Sequence, residues 1–124
     1  MIRITKEQVL ALHDKSIERF GGLKGIRDEG LFESSCVAPY QTMFGNDLYP
    51  DIYDKAIRYL EGFATNQVFI DGNKRTAVAC MMLLLRLNGI YPKLSNKELS
   101  QLCLDFANKL ITKEAIKDLL INRS

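Results

Sequence analysis

The sequence predicts an all-α protein of one domain, residues 1–124, built as a six-helix bundle around a buried central helix. Helix start and stop signals recur along the chain, whereas alternating strand patterns are weak. The connections are short, with no linker, repeat or low-complexity tract. The stretch from about Asn73 to Asn88 is apolar nearly all round, as a helix enclosed by others must be. With 47% apolar and 26% charged residues, a chain of 124 residues can bury one core without disulfides or a structural metal.

The elements follow in order. Thr5 and Gln8 form a capping-box pattern, after which Val9, Leu10, His13 and Ile17 share one helical face until Gly21 and Gly22 stop the helix. Asp28 can cap a second, short helix through Leu31, Ser35 and Val37 that ends near Pro39. From Gln41 to Pro50 the turn formers Gly45, Asn46, Asp47 and Pro50 predict irregular chain. A third helix starts near Pro50 or Asp51 and carries Ile52, Ala56, Tyr59, Leu60 and Phe63 at three-to-four spacing. After a loop from Thr65 to Gly72 comes the apolar helix, closed by Gly89. Ser95 with Glu98 opens a fifth helix through Leu99, Leu102, Leu104 and Phe106, and Thr112 caps a sixth through Ile116, Leu119 and Leu120.

Composition narrows the function. A net charge of +2, with no run of Lys or Arg, gives no basis for nucleic-acid binding. The N-terminal MIRITKEQ has no apolar segment of signal-peptide length. The longest apolar run, Ala77 to Leu85, is nine residues, against the roughly 20 that a membrane-spanning helix needs. A soluble, cytoplasmic protein with no membrane partner is expected. Cys36, Cys80 and Cys103 are widely spaced among apolar neighbours and read as reduced core residues.

The chemistry-bearing stretch is Asn66-Gln67-Val68-Phe69-Ile70-Asp71-Gly72-Asn73-Lys74-Arg75. It places Lys74 and Arg75 in the first turn of the apolar helix, where the helix dipole is already positive. Free amides, the dipole and two cations make an anion site suited to a nucleotide's phosphates. Gly72 would admit close approach of a ligand to the backbone, Asn73 can donate or accept at the same mouth, and Asp71 is a reasonable carboxylate for Mg²⁺. On spacing alone, a turn with a capping residue and two solvated cations explains the same residues equally well. The loop is not a Walker A motif.

The segment resembles the signature of the Fic and death-on-curing family, His-x-Phe-x-Asp-(Gly or Ala)-Asn-Lys-Arg, with Phe69, Asp71, Asn73, Lys74 and Arg75 at the matching offsets. Leu12-His13-Asp14, Arg19-Phe20-Gly21-Gly22, Gly25-Ile26-Arg27-Asp28, Leu48-Tyr49-Pro50 and Leu85-Arg86-Leu87-Asn88-Gly89 extend the likeness, so residues 1–124 are expected to form one Fic/Doc domain. Lys74 is similar to the death-on-curing branch, whereas adenylylating members carry glycine there. The resemblance implies a cytoplasmic toxin that transfers the γ-phosphoryl group of ATP to a hydroxyl of elongation factor Tu and arrests translation. It assigns Mg²⁺ to Asp71 and ATP phosphates to Gly72, Asn73, Lys74 and Arg75, and makes Phe69 the structural anchor of the loop. Tyr49-Pro50-Asp51 falls where the family has a flap that positions the target. An antitoxin of the Phd type, folding its C-terminal segment onto the toxin, is the implied partner.

One departure stands out. Gln67 occupies the position of the family's catalytic histidine. An amide lacks a usable basic lone pair, and loss of a general base costs roughly 10² to 10⁴ in rate. Nucleotide binding is therefore expected to survive and transfer to be impaired. His13, the single histidine, lies on the face of Val9 and Ile17 and reads as a hydrogen-bonded structural residue rather than a replacement base. The alternatives are a binding pseudoenzyme and an adenylyltransferase with an atypical Lys74. Gln67 is either natural or an inactivating substitution that lets a toxic protein be produced.

Overall fold

The helix caps set the frame. In a computed structural model describing residues 1–124, Thr5 and Gln8 cap each other's backbone at the start of α1, Lys6–Phe20, which ends at Gly21. Asp28 accepts from the Leu31 amide at the start of α2, Glu29–Val37, and a single 3₁₀ turn, Ala38–Tyr40, follows. Asp51 accepts from the Tyr53 amide and opens α3, Ile52–Thr65. The central helix α4, Asn73–Leu87, begins after Gly72 with no side-chain cap. The Ser95–Glu98 capping box starts α5, Asn96–Ala107, and Thr112 caps α6, Lys113–Asn122. In α5 the Ser95 amide, followed by Arg123, holds the Glu98 carboxyl below its ordinary range.

The core forms where α3 packs against α4. From α3 come Ala56, Tyr59, Leu60 and Phe63, and from α4 come Ala77, Cys80, Met81, Leu84 and Leu85, all with no exposed surface. Val9 of α1, Leu102 and Cys103 of α5, and Ile116 and Leu120 of α6 close the cluster. A polar thread runs into it and is paired. Tyr59 donates to the Tyr40 hydroxyl at 2.9 Å, which also accepts from the Ile4 amide at 3.1 Å and so ties the N-terminus to the bundle. Burial, then that hydrogen bond, pushes the Tyr59 phenol far above its ordinary range. All three cysteines are buried and unpaired. Burial lifts the Cys36 thiol to about 12 and raises Cys80 and Cys103 as well, so the sulfurs stay protonated and unreactive. No helix is long and apolar enough to cross a membrane.

The six expected helices are present, and one segment differs. The segment expected to be irregular contains a tight antiparallel hairpin, β1 (Thr42–Met43) and β2 (Asn46–Asp47), with Thr42 facing Asp47. Two-residue strands are too short to show alternation, and Gly45, read as a turn former, serves the turn between them. Val37 and Leu104, apolar residues of the second and fifth helices, are exposed. Val37 sits at the end of α2, where the chain turns away, and Leu104 borders a groove between α1, α4 and α5.

Helices α4 and α5 end alike. The amides of Ile90 and Gly89 reach back to Leu85 and Arg86, and those of Leu110 and Lys109 reach back to Asp105 and Phe106. The second of these Schellman motifs puts Lys109 at φ 61°, a position that favours glycine. Replacing exposed Lys109 with Gly is expected to raise unfolding stability by about 0.5–1 kcal/mol, read by urea denaturation.

Candidate functional site

The site grows from the loop between α3 and α4. Val68 and Phe69, between two exposed neighbours (Gln67 and Ile70), have no exposed surface at all. Burial of their side chains pulls the loop into the core. The Phe69 ring lies parallel to His13 at 3.8 Å between centroids, with Phe63 at 5.8 Å and Phe32 edge-on at 6.0 Å. Asn73 then pins the backbone from above: its Oδ1 accepts from the Phe69 amide at 2.8 Å, and its Nδ2 donates to the Phe69 carbonyl at 2.9 Å. A short bridge completes the clamp from the other side. Arg27 N–H donates to the Val68 carbonyl at 2.8 Å, Ile70 N–H donates to Gly25, and Ile26 pairs with Phe69. Arg27 Nε also donates to the Gln67 carbonyl.

At the mouth of α4, Gly72 adopts φ 78°, and a Cβ there would come within 3.2 Å of Ile17 Cδ1. Because no side chain caps α4, the amides of Asn73, Lys74 and Arg75 have no intramolecular partner. Lys74 is exposed and makes no ion pair. The Arg75 guanidinium turns toward α1, donating to the Gly21 carbonyl at 3.1 Å and lying 5.3 Å from the centroid of Phe20. The Asp71 carboxylate is half engaged. Its Oδ2 accepts from the Leu23 amide at 2.7 Å, while Oδ1 has no protein partner. Gly22, at φ 115°, is needed at that turn because a Cβ would sit 3.1 Å from the Asp71 Cβ.

Gln67 is exposed, with its Oε1 3.4 Å from Asn73 Nδ2. His13 does not stand in for a base. It is 1% exposed, and its Nε2 donates to the Asp71 carbonyl at 2.7 Å, a bond whose acceptor can only accept. The structure thus gathers Gln67, Asp71, Gly72, Asn73 and Lys74 at one loop and helix terminus, with Phe69 beneath them and Arg75 leaning toward α1. Sequence reading did not find the supporting parts: the Asp71–Leu23 bond, the His13–Phe69 stack and the Arg27 clamp. These partners lie 40 to 58 residues apart in sequence, and no local pattern announces them.

A family model described as the Fic/DOC family matches residues 3–85. The chain belongs to the Fic/DOC family. Toxin Doc of Mycolicibacterium smegmatis is 42% identical over 71 residues, covering 57% of this chain and 55% of that protein, so the chain spans about half the length of this relative. Protein kinase doc of Escherichia phage P1 is 33% identical over 120 residues, 97% of this chain and 94% of that protein. The family match covers α1 through most of α4, including every contact of the site described above.

The loop's dependence on its two fasteners is measurable. Phe69→Ala is expected to lower unfolding stability by about 3–5 kcal/mol through the cavity it leaves. Asn73→Ala should cost about 1–3 kcal/mol and speed amide exchange at Phe69, whose N–H it leaves unpaired. Urea unfolding with residue-resolved exchange checks both.

Proposed function

We propose that this chain is a death-on-curing toxin scaffold for ATP-dependent phosphoryl transfer to a protein hydroxyl, disarmed by Gln67. The observation that carries the reading is the uncapped N-terminus of α4, with Asp71 and Lys74 at its mouth and an amide where the reaction needs a base. Phosphoryl transfer relies on positioning and charge stabilisation more than on covalent chemistry, and this terminus supplies both. Three unpaired amides and Lys74 would hold the phosphates of ATP. The free Oδ1 of Asp71 would take Mg²⁺, an ion that completes its shell with phosphate oxygens and water rather than a protein cage. Arg75 keeps donors for phosphate beyond the one given to Gly21. Bound ATP and Mg²⁺ supply the transferable phosphoryl group and neutralise its charge. The residues of this chain orient them, and Gln67 can hydrogen-bond an acceptor hydroxyl without removing its proton.

Support for a toxin also comes from the two relatives, one named a toxin and the other a protein kinase. Elongation factor Tu is the proposed acceptor and translation arrest the proposed outcome, in the cytoplasm. A second reading, a binding module without chemistry, is favoured by Gln67 itself.

A groove of about 770 Å³ beside the site supports an antitoxin partner of the Phd type. Its walls include Leu12, Phe20, Val78, Leu83 and Leu104. Arg19, Lys74, Arg75, Arg86 and Lys97 line it with no carboxylate among them. An apolar trough edged by cations fits an amphipathic helix with acidic flanks, and a helix seated there would touch Lys74 and Arg75 directly.

Two experiments test these assignments. ATP labelled at either the α- or the γ-phosphate is offered with elongation factor Tu to this chain and to Gln67→His. The variant is expected to transfer the γ label at least about 10²-fold faster than the chain as it stands. Transfer of the α label would instead make it an adenylyltransferase, and nucleotide binding without transfer by either protein would establish the binding module. For the groove, Arg86→Glu with Lys97→Glu is expected to weaken binding of a Phd-type antitoxin by about tenfold or more, with ATP affinity unchanged. Unaltered antitoxin affinity in the double variant would remove the groove from the interface.

A further inference from the structure

Arg75 is exposed and makes no ion pair, a condition in which an arginine side chain ordinarily moves among many rotamers. Two contacts hold it here. Its Nη2 donates to the Gly21 carbonyl at 3.1 Å, and its Cζ lies 5.3 Å from the centroid of Phe20. A Cβ on Gly72 would meet the same Nη2 at 3.4 Å. The guanidinium therefore lies over the residue that turns the chain into α4, next to the residues whose amides are uncapped.

Both holding groups come from the end of α1. Gly21, at φ 84°, caps that helix with its amide on the Ile17 carbonyl, and its own carbonyl takes Arg75. A helix C-terminus carries partial negative charge, which favours a cation at this place. Phe20, the last residue of α1, is 59% exposed, so apolar burial does not account for a ring so placed. What the ring does have beside it is two guanidiniums, Arg75 and, at 5.2 Å, Arg19. Arg75 gives one N–H to Gly21, lies against the ring and keeps its other N–H groups without a protein partner. An arginine already held where an anion arrives gives up less motion on binding than a free one, and affinity gains by that difference.

We propose that Phe20 is a positioning residue for the nucleotide: its ring, with the Gly21 carbonyl, holds the Arg75 guanidinium over Gly72 before the phosphates of ATP arrive. The proposal rests on the anion site proposed above for the identity of the ligand, whereas the hold on Arg75 is independent of it.

The test uses the full chain with Gln67 in place and no antitoxin, so the place of Phe20 in the groove wall does not enter. Phe20→Leu keeps an apolar side chain and removes the aromatic face, and Phe20→Trp keeps a face. The residue is more than half exposed, so neither variant empties the core. In the free protein, the order parameter of the Arg75 Nε–H bond, from nitrogen relaxation, is expected to fall below about 0.6 in Phe20→Leu and to be restored in Phe20→Trp. The dissociation constant of ATP with Mg²⁺ should rise about two- to fivefold in Phe20→Leu and return in Phe20→Trp. In an Arg75→Met background, Phe20→Leu should change ATP affinity no further. An order parameter equally high in Phe20→Leu overturns the hold. A mobile Arg75 with undiminished ATP affinity overturns the positioning role, as does an equal loss of affinity in the Arg75→Met background, where Phe20 has no guanidinium of Arg75 to act through. An unaltered chain that binds no ATP refutes the nucleotide reading and with it the role of Phe20 toward phosphate, and the hold on Arg75 then stands or falls on the order parameters.

Discussion

The Phe69 ring, packed face to face on His13 with Phe63 and Phe32 around it, holds the site in place. A loop leading into an apolar helix has no reason of its own to adopt one conformation, since backbone ordering costs about 1–2 kcal/mol per residue. Burying one aromatic side chain removes much of that freedom. Once the ring is in the core, the backbone on either side of it is committed, and Asn73 and Arg27 secure the amides and carbonyls that remain. His13 serves twice, covering the ring and holding the Asp71 carbonyl. The polar chemistry at the surface is thus placed by an apolar contact below it.

The second constraint is electrostatic. Lys74 and Arg75 follow an uncapped helix start, an arrangement that local rules disfavour by about 0.3–1 kcal/mol per cation. Nothing in the fold relieves Lys74, whereas Arg75 is drawn off toward the carbonyl-rich end of α1 and the face of Phe20. The terminus is kept open by its neighbours. Gly72 turns the chain without presenting a side chain, and Asn73, which could have capped the helix, spends its amide on Phe69 instead. A helix start that forgoes a cap and gathers positive charge would be stabilised by an anion, and this is the physical ground for the phosphate-bearing ligand proposed above.

Much of the architecture was legible because helix signals are local. The capping boxes at Thr5 and Ser95 and the caps at Asp28 and Thr112 each act within three residues and appear in the structure where the sequence puts them. The hairpin from Thr42 to Asp47 was not legible, because its strands are two residues long and Lys55, which pairs with Asp47, lies outside the segment. Leu104, on the opposite side of the fifth helix from the buried Leu99 and Leu102, borders a groove that no helix of this chain fills.

By itself the sequence determined the helices, the apolar centre, the two cations in the first turn of the apolar helix and the amide at position 67, because each depends on residue type or on spacing within a turn or two. Only the tertiary structure decided which way those groups face. The half-engaged Asp71, the diversion of Arg75 toward α1, the removal of His13 from any role as a base and the pairing of buried Lys55 with Asp47 all follow from contacts between chain segments distant in sequence or outside one helix. A side chain's chemistry is written in its own residue, but its partner is chosen by how helices pack.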